Sequence, residues 1–295
     1  MPSWEDFKPF IITGLALGSV YAMSGVGMVV LYRATGVLNL AFGAVGAMGA
    51  LIAWQLINHN GWAEGPAFVI CVLFGGAVTL LYGALFGPPL SGRDPLIKAV
   101  ATLGLALILL GIMSWVWSDK ARSMILPSSN HGFEVSDVFV NYTQVIALGF
   151  GIVITIVTGL FLRFTNLGTA MRALANDREI TATLGVPVRR VEAAAWLGSG
   201  LVAGASGLLL SNLVGLDATT LTFLVISSLA ATLIGRLRSI PGTFLAAMGI
   251  GLVNALITPI LSISQYRDMT PFVLATIALF LLSGRRGNAL TGRAG

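Results

Sequence analysis

Five long, predominantly apolar runs, Phe10–Leu31, Phe68–Phe86, Ala99–Trp117, Tyr142–Leu162 and Thr243–Leu261, set the first limit on this chain. Each is close to the ~20 residues that a helix needs to cross a bilayer. Hydrocarbon offers no partner for open backbone groups, so only helices or a closed barrel can cross it, and the alternating pattern of a barrel is absent. Charged residues make up only 10% of the sequence, against roughly 25% in a soluble domain. The fold class that follows is an all-α integral membrane protein, a polytopic bundle formed by residues 1–295 as one transmembrane domain.

The few charges orient the bundle. Arg163, Arg172, Arg178, Arg189 and Arg190 lie between two spans, and Arg285, Arg286 and Arg293 follow the last one. The positive-inside rule puts both groups in the cytoplasm. The connection Ser118–Asn141 carries Asp119, Glu134 and Asp137 against Lys120 and Arg122, and belongs outside. From these anchors Phe7–Tyr32 runs inward, Gly36–Ile57 outward, Pro66–Phe86 inward, Lys98–Trp117 outward, Asn141–Leu162 inward and Glu192–Ser211 outward. Thr219–Ile234 is short and either crosses or re-enters. Thr243–Leu261 then leaves and Thr270–Ser283 returns. The expectation is eight or nine membrane segments, one or two of them half-helices, with the N-terminus outside and the C-terminus in the cytoplasm.

Several function classes lose support at this stage. Glu5 and Asp6 occupy the region that would be basic in a cleaved signal, so the first span is expected to stay. Cys71 is the only cysteine, which excludes intrachain disulfides and predicts a small packed residue. His59 and His131 fall in outer loops, and no span carries a carboxylate or histidine pair, so neither a catalytic residue nor a metal ligand is assigned. No GxxxxGK[ST] occurs, so no ATP site is assigned to this chain. Asp217, the carboxylate nearest to a span, is expected in a solvated outer loop. The net charge of +5 reports loop topology and is no argument for nucleic acid. Small residues four apart, Gly14 with Gly18, Gly43 with Ala47, Gly46 with Ala50, Gly200 with Gly204 and Ala203 with Gly207, predict close helix packing.

Residues 163–190 interrupt the apolar pattern with a charged cytoplasmic loop that is itself punctuated. Asn176 can cap a helix whose third residue is Glu179, Gly185 is placed to end it, and Pro187 blocks its continuation. A helix terminated this deliberately between two spans predicts docking onto an aqueous partner. Within the membrane, Asn39 is an amide among apolar neighbours and needs either a partner or a wet path. Thr102, Asn212, Ser227, Ser228, Thr232 and Asn254 can bond to their own helix backbone and are weaker signals.

Three motifs in order resemble one family, the permease subunits of branched-chain amino-acid importers of the Liv type, which are driven by separate ATP-binding subunits. Gly14–Ala50 resembles its Gly-rich first span and second-span motif, here Asn39-Leu40-Ala41-Phe42-Gly43. Leu167–Leu210 resembles its LGRAMRA stretch and the small-residue span that follows. Ser239–Gly242, SIPG, resembles its GSIPGA motif. Phe42 replaces a polar residue of the second-span motif, and Arg236 and Arg238 stand in a run that is glycine-rich in the family.

The resemblance implies import of branched-chain amino acids or similar small polar solutes across the bacterial cytoplasmic (inner) membrane by alternating access. Its implied partners are a second permease subunit, identical or different, two cytoplasmic ATP-binding subunits that use ATP and Mg, and an extracytoplasmic solute-binding protein. Met171, Leu174, Asn176, Asp177, Arg178, Glu179, Leu184 and Gly185 would form the ATPase-coupling element. Asn39, Phe42, Gly43, Thr102, Ser227 and Ser228 are the candidates for the translocation path. The competing expectation is a stand-alone facilitator or secondary carrier.

Overall fold

The computed structural model describes residues 4–118, 120, 122–124, 126–129, 131–135, 138–260, 264–278 and 280. Arg285, Arg286 and Arg293, the expected end of the last span at Ser283, the end of the preceding one at Leu261, and Asp119 and Asp137 lie outside the described residues. Among the described residues, six helices are long and apolar enough to cross a membrane. They are α1 (Trp4–Thr35), α3 (Glu64–Leu90), α4 (Pro95–Trp117), α5 (Tyr142–Phe164), α8 (Val188–Val214) and α11 (Ile240–Ile257). Shorter apolar helices supply the rest: α2 (Phe42–Asn58), the consecutive pair α9 (Ala218–Phe223) and α10 (Val225–Ile234), and a helix over 270–278. The polytopic helical bundle expected from the apolar runs is what forms.

Two departures matter for the site. The span expected at Gly36–Ile57 is helical only from Phe42, and residues 36–41 pass through the bundle without helical structure. The connection between α4 and α5 also holds a small hairpin, β1 (Gly132–Val135) paired antiparallel with β2 (Val138–Asn141). An isolated bridge between Arg122 and Leu216 ties this connection to the start of the α9 and α10 pair.

The two ends of the bundle differ in kind. At the hairpin end, Gln144 of α5 donates to Thr13 near the start of α1, Trp117 of α4 donates to Gln55 of α2, and Asn212 of α8 donates to the Met124 carbonyl. At the other end, the close of α1, the start of α4, the charged loop over residues 163–190 and the turn before α11 surround shared cavities. Leu216 belongs to the first end and Arg238 to the second, so α9 and α10 together connect the two ends.

Helix α1 is the hub. Of its apolar window 94% is buried, against 28% for α3 and α4 and 17% for α5. The peripheral helices turn large apolar side chains outward, among them Leu73, Leu81, Ile108 and Val157, as a lipid-facing surface requires. Lipid tails are as apolar as leucine, so helices must gain cohesion from close contact. The small-residue lines supply it. A Cβ built at Gly18 would come within 2.8 Å of Met248 Cα on α11, and one at Gly14 within 2.9 Å of Leu252 Cα. On α8, Gly204 meets Cys71 and Val72 of α3, while Gly207 and Ala203 meet Gly46 of α2. Cys71 is packed as expected, its thiol donating to the Gly204 carbonyl at 3.2 Å.

Gly18→Val therefore forces α1 and α11 apart and should cost about 1–3 kcal/mol. Thermal unfolding of the purified chain in detergent should show a clear loss of Tm for this variant. Gly104→Ala, at a position where nothing lies within 4 Å, should leave it unchanged.

Candidate functional site

The break at 36–41 begins beside Lys98 and leads to a helix start inside the bundle. Thr35 accepts a bond from Lys98 Nζ at 3.4 Å, and one turn further along α4 the hydroxyl of Thr102 serves the break directly. Thr102 Oγ1 receives the Leu40 N–H at 3.0 Å and lies 3.0 Å from the Leu38 carbonyl and 2.8 Å from that of Ala99. Non-helical backbone at membrane depth is tolerated only where it is covered and partnered, and this one fully buried side chain does much of the partnering.

Asn39 completes the break. Its Oδ1 accepts from Ala41 N at 3.0 Å, which fixes the turn into α2, while its Nδ2 is buried with no hydrogen-bond partner among the described residues. A buried amide donor left open costs about 1–3 kcal/mol. A helix that starts inside a bundle presents its free N–H groups there, the arrangement by which broken helices contact polar solutes. Asn39 and Thr102 are thus brought together around the break, Asn39 in a turn rather than in the helix expected of it.

Phe42, Gly43 and Ser228 meet elsewhere. They line a small cavity of about 20 Å³ with two residues the sequence reading passed over, Ser24 of α1 and Ser206 of α8. The space suits little more than one water. Serines buried among glycines and alanines at helical spacing were the available signal. Ser227 is buried on α10 but does not line this cavity. Asp217 caps α9, accepting from Thr220 N at 2.7 Å.

The charged loop folds into two helices, α6 (Asn166–Asn176) and α7 (Arg178–Thr183). Thr165 caps α6 by accepting from Gly168 N at 2.9 Å. The expected cap at Asn176 is displaced by one residue. Asn176 is the last residue of α6, and Asp177, extended at φ −153° and ψ 114°, caps α7 by accepting from Ile180 N at 2.9 Å. Asn and Asp cap about equally well, and the extended backbone of residue 177 decides between them. Gly185 ends the segment at φ +82°, and Pro187 immediately precedes α8.

Burial divides the expected coupling residues into two groups. Met171 and Leu174 are buried in a cluster with Val30, Ala34, Leu162 and Val191, so they fasten α6 to the bundle. Thr181 is the buried residue of α7, and Arg178 pairs with Glu192 of α8 at 2.9 Å. Arg178, Glu179 and Gly185 remain exposed, as does Leu184 at 77%. Ile180, at 60% exposed, joins them although its pattern alone had not singled it out.

A multi-pass bundle with a broken second span and a firmly seated two-helix loop defines a membrane transport component. Residues 10–282 match the family described as the branched-chain amino acid transport system / permease component, and the chain belongs to it. The high-affinity branched-chain amino acid transport system permease protein LivH of Escherichia coli is 27% identical, over 94% of this chain and 95% of its own. BraD of Pseudomonas aeruginosa, described in the same terms, is 26% identical over 97% and 98%. A probable LivH of Methanocaldococcus jannaschii is 29% identical over 85% and 81%.

Thr102→Val should lose about 1–3 kcal/mol, because it strips the partner from Leu40 N–H in a buried setting. Thermal unfolding in detergent should rank Thr102→Ser close to the parent and Thr102→Val well below it.

Proposed function

We propose that this chain is the permease subunit of an ATP-driven importer in the cytoplasmic membrane, moving branched-chain amino acids or similarly small polar solutes inward by alternating access. It works with a second permease, two ATP-binding subunits that use ATP and Mg, and an extracytoplasmic solute-binding protein. The basic end faces the cytoplasm, which puts the N-terminus outside and the C-terminus inside.

The observation that carries this reading is the loop at 163–190. Helix α7 is capped at both ends, clamped to α8 through Arg178 and Glu192, and presents Ile180 and Leu184 to the aqueous side. Two large apolar side chains held out on a fixed helix suit the groove of a soluble partner, and the ATPases are the partner the family supplies. Asn39, with its open Nδ2 at the break, is assigned to the solute path. Phe42, Gly43 and Ser228 with Ser24 and Ser206 form the constriction that must open.

The test is uptake by the complete transporter reconstituted in vesicles. Ile180→Asp combined with Leu184→Asp should lower ATP-dependent uptake at least tenfold and release the ATPases during purification, with the permease still inserted. Normal uptake by that variant, or equal uptake by this chain alone without nucleotide, would defeat the coupling assignment.

Asn39→Leu should reduce uptake while the ATPases remain bound. Unchanged transport would make the residue structural.

A further inference from the structure

Two adjoining cavities at the basic end, about 430 Å³ and 260 Å³, share Arg33 and Arg238 in their walls. Arg172 lines the larger one, and Lys98 and Arg178 line the smaller. Negative charge to balance them is scarce. Glu192, which also offsets Lys98, is engaged by Arg178 at 2.9 Å, while Asp177 and Asp94 keep their charge but cap α7 and α4 at the Ile180 and Leu96 N–H groups.

The cations themselves are underused. Lys98 is only 7% exposed and reaches a single carbonyl, that of Thr35, at 3.4 Å. A buried ammonium costs several kcal/mol unless its charge is paired. Arg33 and Arg238 have no ion pair or hydrogen bond among the described residues. Arg172 bonds only to the Thr169 hydroxyl and, at 3.5 Å, to the Arg163 carbonyl. The turn that carries Arg238 is itself held in a costly shape. Arg236 and Leu237 both take left-handed backbone angles, φ 56° and 55°, at roughly 1–2 kcal/mol per residue. That conformation holds Arg238 at the cavity wall opposite Arg33.

We propose that Arg33, Lys98, Arg172 and Arg238 form a binding site for a phosphoryl anion at the basic end of the bundle. A phosphate group carries enough charge and enough acceptor oxygens to serve several of these donors together, and forked guanidinium groups suit it better than point charges do. The site lies at the ends of membrane helices, so the group arrives either on an anionic lipid or as a free anion. Once bound it bridges four elements: the end of α1, the start of α4, helix α6 and the turn before α11. This site does not depend on the importer reading, and its test needs this chain alone.

The full chain, purified in dodecyl maltoside and delipidated, is unfolded thermally while inorganic phosphate replaces chloride at constant ionic strength. In parallel, the chain is placed in nanodiscs of phosphatidylcholine with or without phosphatidylglycerol. A saturable rise in Tm with phosphate alone assigns the site to a free anion, and one with phosphatidylglycerol alone assigns it to a lipid headgroup. A rise with both assigns it to the phosphoryl group from either source.

In each of these cases Arg238→Gln and Lys98→Gln should weaken the response about tenfold or more, the share of a charged hydrogen bond. Arg93→Gln, exposed and outside both cavities, should leave it intact. Because Arg238 is exposed, its variant reads binding even if Lys98→Gln folds poorly. No rise in either medium, or an equal loss in Arg93→Gln, overturns the proposal.

Discussion

Backbone-to-backbone contact through glycine is the constraint on which the rest of this structure depends. In lipid the hydrophobic effect does not favour one helix beside another over a helix beside tails. Cohesion has to come from dispersion across surfaces that touch along their length, and a side chain larger than hydrogen at Gly18 or Gly204 would end that contact. Because α1 is sheathed this way by α11, and α8 by α2 and α3, the interior positions of polar groups are fixed without any help from water. The break at 36–41 can exist only inside such a sheath. Its open carbonyls and N–H groups would be untenable against lipid, but against Thr102 they are met.

The same sheath separates the roles of the candidate residues. Thr102 and Met171 are structural in the immediate sense, one satisfying backbone and the other filling a core. Asn39 is different, because half of its amide is used and half is not. Ile180 and Leu184 differ in the opposite direction: they are apolar where nothing in the chain covers them. Groups left unsatisfied by the fold, polar ones inside and apolar ones outside, are the ones on which the proposed solute path and docking surface rest.

Much of this was legible from sequence, and the failures have physical causes. The spans could be read because ~20 apolar residues allow few alternatives, and Gly185 and Pro187 marked the end of the charged loop for stereochemical reasons. The break could not be read, since VLNLAFGAVG is as apolar as a helix and the partner that permits non-helical backbone, Thr102, lies over 60 residues away. The cap at the α6–α7 junction was placed one residue early because Asn176 and Asp177 have equivalent side-chain chemistry. Met171 and Leu174 were seen as belonging to the loop element, but not as its anchors, because only the packed structure shows which face of α6 meets α1 and α5. Arg236 and Arg238 were visible as charges, and the wall that Arg238 shares with Arg33 was not, since it is made by distant parts of the chain.

The ion pair between Arg178 and Glu192 makes α7 the handle of a rod. Helix α8 runs 27 residues from Val188, about 40 Å at 1.5 Å per residue, and its glycine face is locked onto α2 and α3. Were α7 displaced, this pair would pass the motion to the first turns of α8, and a tilt of so long a lever would be larger at its far tip than at the handle. The serine-lined cavity lies part-way along that lever, at Ser206, so opening there and movement at the hairpin end would be two readings of a single rotation.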